Sequence, residues 1–369
     1  MADNKNQHFV PRCHLKPFTA RGEGKAVHLF NIDADRAIPN APVKNQCSRD
    51  DFYGQDPRLE AAIQGMEQAY GGALARLSPD DAIPTDLDRW TLRRFILLQH
   101  LRTEAASRQA AQFTAALAAL PGVLGDEPFD IKRAMRGAVQ QAMLYYAKSM
   151  EIVDDLQVTL VRNRTPMPFV TSDDPAILTN RWYLHNRRAR DLTFGVRNAG
   201  LIMLLPLTPR VLAMLHDPDV YVAPHDRGCI MLDRVQDVAA LNEHQALNCA
   251  ANVYFGDWGD RERIAKAVRE VRAVRPPARH RVTYAPRDQV VGDHVRYEIR
   301  PLETIVPEAG DEVLIHLETL RARPSRWPGF LALRRGGRMY SNGSRTGYVR
   351  RWCLEAGFVE GEGYRRVAV

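Results

Sequence analysis

Residues 201–215, LIMLLPLTPRVLAML, are two apolar runs separated by the turn-forming residues 208–210. Both runs are rich in branched side chains, which is typical of short strands. The longest apolar stretch, Ala199 to Leu207, is about half the length that a membrane span requires. The segment therefore predicts two strands of a globular protein, and the runs Leu156 to Val161 and Phe169 to Thr171 predict two more.

Amphipathic helices are predicted on both sides of these strands, because apolar residues recur three and four positions apart. The predicted helices are residues 57–77, 86–120, 128–150, 235–252 and 261–274.

The N-terminal segments are less regular. Residues 7–20 carry Pro11 and Pro17 and are predicted to be extended and packed. Residues 26–32 predict a strand, and the Pro-rich residues 38–43 predict a long connection after it.

These elements predict an α+β fold in which a helical N-terminal half packs on a small mixed or antiparallel sheet. Residues 275–277, Arg-Pro-Pro, are the best linker candidate. Residues 1–275 are therefore predicted to be a catalytic domain, and residues 276–369 a basic C-terminal appendage. A helix over 345–356 and a hairpin over 358–369 would give the appendage a winged-helix-like outline.

The positive charge is concentrated at the C-terminus. The chain of 369 residues has a net charge of +7, and residues 275–369 contain 17 Arg, no Lys and 11 Asp or Glu. Arginines alternate there with aromatic residues, which suits a surface that follows phosphates and stacks on bases. A solvated accessory cap would explain the charges equally well. The predicted DNA-binding residues are Arg334, Arg335, Arg338, Arg345, Arg350 and Arg351.

Several classes of protein lose support. The five cysteines are scattered without a C-x-x-C pair, which argues against a disulfide scaffold or a cysteine-rich zinc site. P-loop, dinucleotide-binding, zincin and α/β-hydrolase motifs are absent. We expect a cytoplasmic protein without a cofactor, a bound metal, a membrane contact or an obligate protein partner, whose function depends on a dispersed site.

Two polar groups lie in segments that are expected to be buried. Gln7 and His8 precede Arg12 and His14, and buried polar groups need hydrogen bonds to protein or ligand. A His that only pins the N-terminus is at least as probable from sequence alone. The second group, in an apolar helix turn, could line a pocket or link helices in the core. It consists of Gln99, His100 and Arg102.

Two acidic groups complete the candidates. Asp173 and Asp174 follow a predicted strand, where a turn can aim a carboxylate into a cleft or satisfy backbone N–H groups. Glu60 and Glu67 are seven residues apart on one helix face. They could help to hold a hard cation, although such residues are usually a helix's solvated side.

These motifs resemble a bacterial family of unknown function over residues 6–255. The resemblance rests on an N-terminal Gln-His-x-x-Pro motif at 7–11 and a Thr-Ser-Asp-x-Pro motif at 171–175. Tyr53, Glu60, Glu67 and Arg102 lie between them and belong to the same pattern. The chain is also similar to an antiphage DNA glycosylase that removes glucosylated hydroxymethylcytosine.

The resemblance implies a DNA glycosylase that acts on double-stranded phage DNA with modified bases. Because a lyase-type mechanism needs a nucleophilic amine and only Lys16 lies near the proposed site, we expect a monofunctional enzyme that uses water and leaves an abasic site. Asp173 is expected to stabilise the sugar cation, with Asp174 as substitute, and His8 to stabilise or protonate the departing base. The remaining candidates are expected to bind substrate: Gln7, Arg12, His14, Tyr53, Gln99, His100 and Arg102. A metal-dependent nuclease using Glu60, Glu67, Asp173 and His8, and a DNA-binding protein without catalysis, are the alternatives.

Overall fold

The computed structural model describes residues 6–118, 130–190, 192–276, 280–291, 294–301, 304–305, 312–320 and 322–369. The fold is α+β, as predicted. No helix in these ranges has the length and apolar character that crossing a bilayer requires.

The helices of the described residues are α1 Arg12–Leu15, α2 Pro57–Leu77, α3 Asp86–Leu101, α4 Glu104–Ala118, α5 Ile131–Ser149, α6 Arg181–His185, α7 Val235–Asn248, α8 Arg261–Arg272 and α9 Arg351–Glu355. The strands are β1 Asn6–His8, β2 Ala26–Asn31, β3 Arg36–Pro42, β4 Ser48–Asp50, β5 Gln157–Asn163, β6 Thr171–Ser172, β7 Ile177–Thr179, β8 Ile202–Thr208, β9 Val211–His216, β10 Tyr221–Val222, β11 Cys229–Leu232, β12 Asn252–Phe255, β13 His280–Val291, β14 His294–Tyr297, β15 Val313–Thr319, β16 Ala332–Leu333, β17 Arg338–Ser341 and β18 Arg365–Ala368.

Two sheets form the centre of the molecule. The larger has the order β11-β5-β9-β8-β7, in which only the β11–β5 pair is parallel. The other has the order β3-β2-β12-β6 and is antiparallel. Every residue of β8 and β9 is buried, so the segment 201–215 is the core hairpin of the fold.

The predicted helix over 86–120 is two helices. Helix α3 ends at Leu101, and Thr103 accepts a hydrogen bond from the backbone N–H of Ala106 at 3.2 Å as α4 begins. A hydroxyl that caps backbone N–H groups favours a helix start over a helix interior. The predicted end near residue 120 lies outside the described residues.

Other segments also differ from prediction. Residues 12–15, predicted to be extended, form helix α1. Residues 38–43 were predicted to be a loop, but residues 36–42 form an edge strand, where the missing N–H groups of prolines are tolerated. Helix α7 ends at Asn248, and residues 252–255 are a strand. The sheet β14-β13-β15 was not predicted.

The C-terminal residues are part of the main core. Leu331, Met339, Val349 and Cys353 are buried in the same cluster as β8 and β9. Gly337 packs so closely that a Cβ would lie 2.4 Å from the carbonyl oxygen of Asp219. The predicted winged-helix-like outline is not formed, because the helix spans only 351–355 and β18 pairs with β17 instead of closing a hairpin.

Candidate functional site

A cavity of about 410 Å³ lies between the N-terminal segment and α2, and we name it the His8 cavity. It brings together residues that are far apart in sequence. Its polar lining includes Gln7, His8, Arg12, Tyr53, Glu60 and Glu67.

Backbone hydrogen bonds hold the N-terminal segment in place. The Gln7 side chain donates to the Gly54 carbonyl at 3.0 Å and accepts from the Tyr53 N–H at 2.7 Å. The Tyr53 hydroxyl donates to the His8 carbonyl at 3.2 Å, and burial raises its pKa to about 12. Gln7 and Tyr53 therefore position His8 from both sides.

An ion pair between a buried arginine and a partly exposed glutamate supports the wall of the cavity opposite the N-terminal segment. Arg102 is 0% exposed, and its Nη1 donates to Glu67 Oε1 at 2.6 Å. Its Nε and Nη2 donate to Gln99 Oε1 at 2.9 and 2.8 Å, and Gln99 donates in turn to the Phe9 carbonyl. Because each of these groups is held by another, the Glu67 carboxylate is fixed at the cavity wall.

His8 is a neutral imidazole near pH 7. Burial and then the charge of Arg12 lower its pKa, while Glu67 and a hydrogen bond to the Val43 backbone oppose that shift. Nε2 is buried and has no hydrogen-bond partner among the described residues. A buried ring nitrogen without a partner calls for a ligand or water.

His14 lies outside the cavity and is structural. It is fully buried, with Nδ1 2.8 Å from the Tyr70 hydroxyl and Nε2 3.0 Å from the Thr171 hydroxyl. Burial lowers its pKa to about 3. The ring therefore stays neutral and joins α2 to β6 rather than contacting substrate.

The Asp173 carboxylate binds the loop between α7 and β12. It accepts from the backbone N–H groups of Ala250, Ala251 and Asn252 at 2.6, 2.8 and 2.9 Å. Two roles were predicted for this carboxylate, and the geometry matches the second: it accepts hydrogen bonds from backbone N–H groups and is not aimed into a cleft. Asp173 is not part of the His8 cavity lining, so Asp173 and His8, which were expected to act on the same substrate, do not share this cavity.

Asp174 and His100 meet at a second, larger cleft of about 820 Å³. His100 Nδ1 lies 3.1 Å from the carbonyl oxygen of Ala176, and Asn248 and Arg275 also line the cleft. Much of its wall consists of alanines from α4 and α5. The predicted site residues thus do not share one site: some line the His8 cavity, Asp174 and His100 line this cleft, and four line neither, namely His14, Gln99, Arg102 and Asp173.

The predicted DNA-binding arginines also divide. Arg334, Arg335, Arg338, Arg345 and Arg351 are exposed. Arg350 is 2% exposed, forms an ion pair with Asp155 and donates to the carbonyls of Ile152 and Val196. Arg350 is therefore a core residue, and the prediction that it binds DNA is wrong.

Three residues that give the His8 cavity further polar side chains were not predicted from the sequence. Gln64 and Gln68 continue the row of Glu60 at four-residue steps on one face of α2, and that spacing is a signal that could have found them. Cys13 had no such signal. Burial raises the pKa of its thiol to about 11, so it is not a nucleophile near neutral pH.

Within the described ranges, no group of three or more His, Cys, Asp or Glu side chains is arranged to hold a metal ion. A family model described as "Protein of unknown function (DUF4238)" matches residues 6–258. No curated protein and no solved structure matches the chain.

Proposed function

The chain belongs to the DUF4238 family of proteins of unknown function, and we propose that it is an antiphage DNA glycosylase that excises a modified cytosine. The substrate in this proposal comes from the resemblance seen in the sequence, and the chemistry of the His8 cavity supports glycosidic hydrolysis. One observation carries the proposal. His8, Arg12, Glu60 and Glu67, with Arg102 behind them, belong to motifs spread over about a quarter of the chain and meet at one cavity. Its volume of about 410 Å³ falls in the range of small-ligand sites, roughly 300–1,000 Å³.

The cavity supplies the groups that glycosidic hydrolysis needs. When the C1′–N bond breaks, its electron pair leaves with the base and positive charge develops on the sugar. The fixed Glu67 carboxylate stabilises that charge. Neutral His8 accepts a proton at Nε2 as the water oxygen bonds to C1′, and the resulting imidazolium returns the proton to the departing base. Arg12, exposed at the cavity, suits a flanking phosphate.

This assignment replaces Asp173 by Glu67 as the catalytic carboxylate. Glu67 lines the cavity that contains His8, whereas Asp173 is held by three backbone N–H groups elsewhere. The glucosylated hydroxymethylcytosine named by the resemblance is the base to test first.

The test uses duplex DNA with plain or glucosylated hydroxymethylated cytosine, with and without EDTA, followed by alkali and sizing on a gel. We expect strand breaks only after alkali, only with the modified base, and regardless of EDTA. His8→Ala and Glu67→Gln should each lower the excision rate at least about 100-fold. His316→Ala, at an exposed histidine of β15, is the matched control and should keep the rate. Direct breaks that EDTA abolishes would favour the nuclease, and intact DNA in every lane would exclude both enzymes.

The pH profile tests the role of His8 separately. Because its pKa is lowered, the acid limb of kcat/KM should lie below pH 6.5. Arg12→Gln removes a charge that lowers this pKa, so the limb should move to higher pH. An acid limb that stays in place in Arg12→Gln would show that His8 is not the base.

A further inference from the structure

Three exposed arginines lie far in sequence from the C-terminal ones but beside them in space. Arg187, Arg188 and Arg190 follow helix α6. Arg188 Nη1 donates to the Ala368 carbonyl at 3.1 Å, and its guanidinium lies 5.2 Å from the Trp182 ring centroid. The segment 187–190 is thereby fixed against strand β18.

Further bonds tie the loop that carries Arg345 to the same region. The Tyr183 hydroxyl donates to the Tyr348 carbonyl at 2.9 Å, and the Asn198 amide donates to the Thr346 carbonyl at 3.1 Å. Strands β17 and β18 pair beside this loop and expose three more arginines. We name the whole set the arginine surface: Arg187, Arg188, Arg190, Arg338, Arg345, Arg365 and Arg366.

The arginine surface lacks compensating carboxylates. Residues 186–190 and 338–369 together hold nine arginines and three glutamates. No residue of the described chain places a carboxylate within 4.0 Å of any of the seven guanidinium groups, whereas other exposed arginines, such as Arg49 and Arg269, form ion pairs. Gathered like charges repel, and a polyanion bound across them would relieve that repulsion.

We propose that the arginine surface binds the phosphate backbone of double-stranded DNA. The choice of DNA rests on the proposed function, but the surface itself is independent of the His8 cavity. Guanidinium forks match phosphate oxygens, and a two-stranded ribbon such as β17–β18 can enter a major groove. An anionic membrane fits less well, because none of the exposed large apolar side chains lies in residues 186–190 or 338–369 to anchor in lipid.

The test is the salt dependence of binding to a labelled 20-bp duplex, measured by fluorescence anisotropy. The triple variant Arg187→Gln, Arg190→Gln, Arg366→Gln should bind at least tenfold more weakly at fixed salt. The negative slope of log Kobs against log[salt] should become shallower by about 3, since each phosphate contact contributes about 0.9 to its magnitude. The control triple Arg263→Gln, Arg269→Gln, Arg272→Gln removes the same charge from α8 and should leave the slope unchanged.

Equal slopes for the two triples would overturn the proposal, as would binding to phosphatidylserine vesicles in place of DNA. Failure of the proposed function gives a different result. In that case the wild type binds the duplex with the full slope but excises no base, and Glu67→Gln shows the same slope. If the wild type excises the base but the first triple variant keeps the wild-type slope, the proposed glycosylase activity stands and the arginine surface does not bind DNA.

Discussion

The His8 cavity and the larger cleft both contain residues that the sequence predicts to be functional, but they are built differently. At the His8 cavity, Glu67 is held by buried Arg102, and Arg102 by Gln99. At the larger cleft, Asp174 and His100 stand among alanines of α4 and α5. Gln99 and His100 are adjacent in sequence, but Gln99 supports the His8 cavity and His100 lines the larger cleft. They face different sites because successive helix residues point about 100° apart. Proximity in sequence is therefore weak support for a shared site.

The largest expected loss of stability comes from a substitution in the His8 cavity. Glu67→Ala leaves the Arg102 guanidinium buried without its carboxylate, which should lower the free energy of unfolding by about 3–5 kcal/mol. Gln141→Ala, at an exposed position on the larger cleft, should change it by less than about 0.5 kcal/mol. Urea unfolding of both variants measures the difference. Similar losses would mean that the ion pair does not support the cavity.

A smaller loss of stability, with no loss of excision, is expected when Asp173 is replaced. Asp173→Ala leaves three backbone N–H groups of the 250–252 loop without their acceptor, which should cost about 2–3 kcal/mol of stability. Its excision rate should nevertheless match the wild type when both are assayed well below their unfolding temperatures. Asp173→Asn keeps one acceptor oxygen and should be less destabilised. Loss of excision in a folded Asp173→Asn would restore the sequence prediction.

The smallest effect concerns His14, which joins α2 to Thr171. Its folded pKa of about 3 lies below the ordinary 6.5, so between these values the unfolded chain binds a proton that the folded chain does not. The free energy of unfolding therefore falls as pH drops through this window, by about 2 kcal/mol at pH 5. Urea unfolding at pH 5 and pH 7 should show a smaller pH dependence for His14→Gln than for the wild type.

Other buried titratable groups contribute equally to the pH dependence of unfolding in the wild type and in His14→Gln. His216 and His244, each with a pKa lowered to about 4 by burial, also favour unfolding as the pH drops. Burial raises the pKa of Asp217 to about 6, which acts in the opposite direction. An identical pH dependence in wild type and His14→Gln would mean that the ring is not held neutral.

Local patterns determined much of the fold. The three-and-four spacing over 57–77 gave α2 with its true ends, and the runs at 201–207 and 211–215 gave β8 and β9 within a residue. The family resemblance is confirmed over residues 6–258, at the level of a family of unknown function. These features are local, so periodicity and turn residues suffice to find them.

Only the tertiary structure decided which candidates share a site. Nothing in the sequence shows that Glu67 faces buried Arg102, that Asp173 binds the 250–252 loop, or that Arg350 is in the core. The segment 187–190 likewise meets residue 368 only in the folded chain. Such contacts depend on long-range packing and on which way each side chain turns, and a charged residue has the same letter in the sequence whether it is solvated or buried.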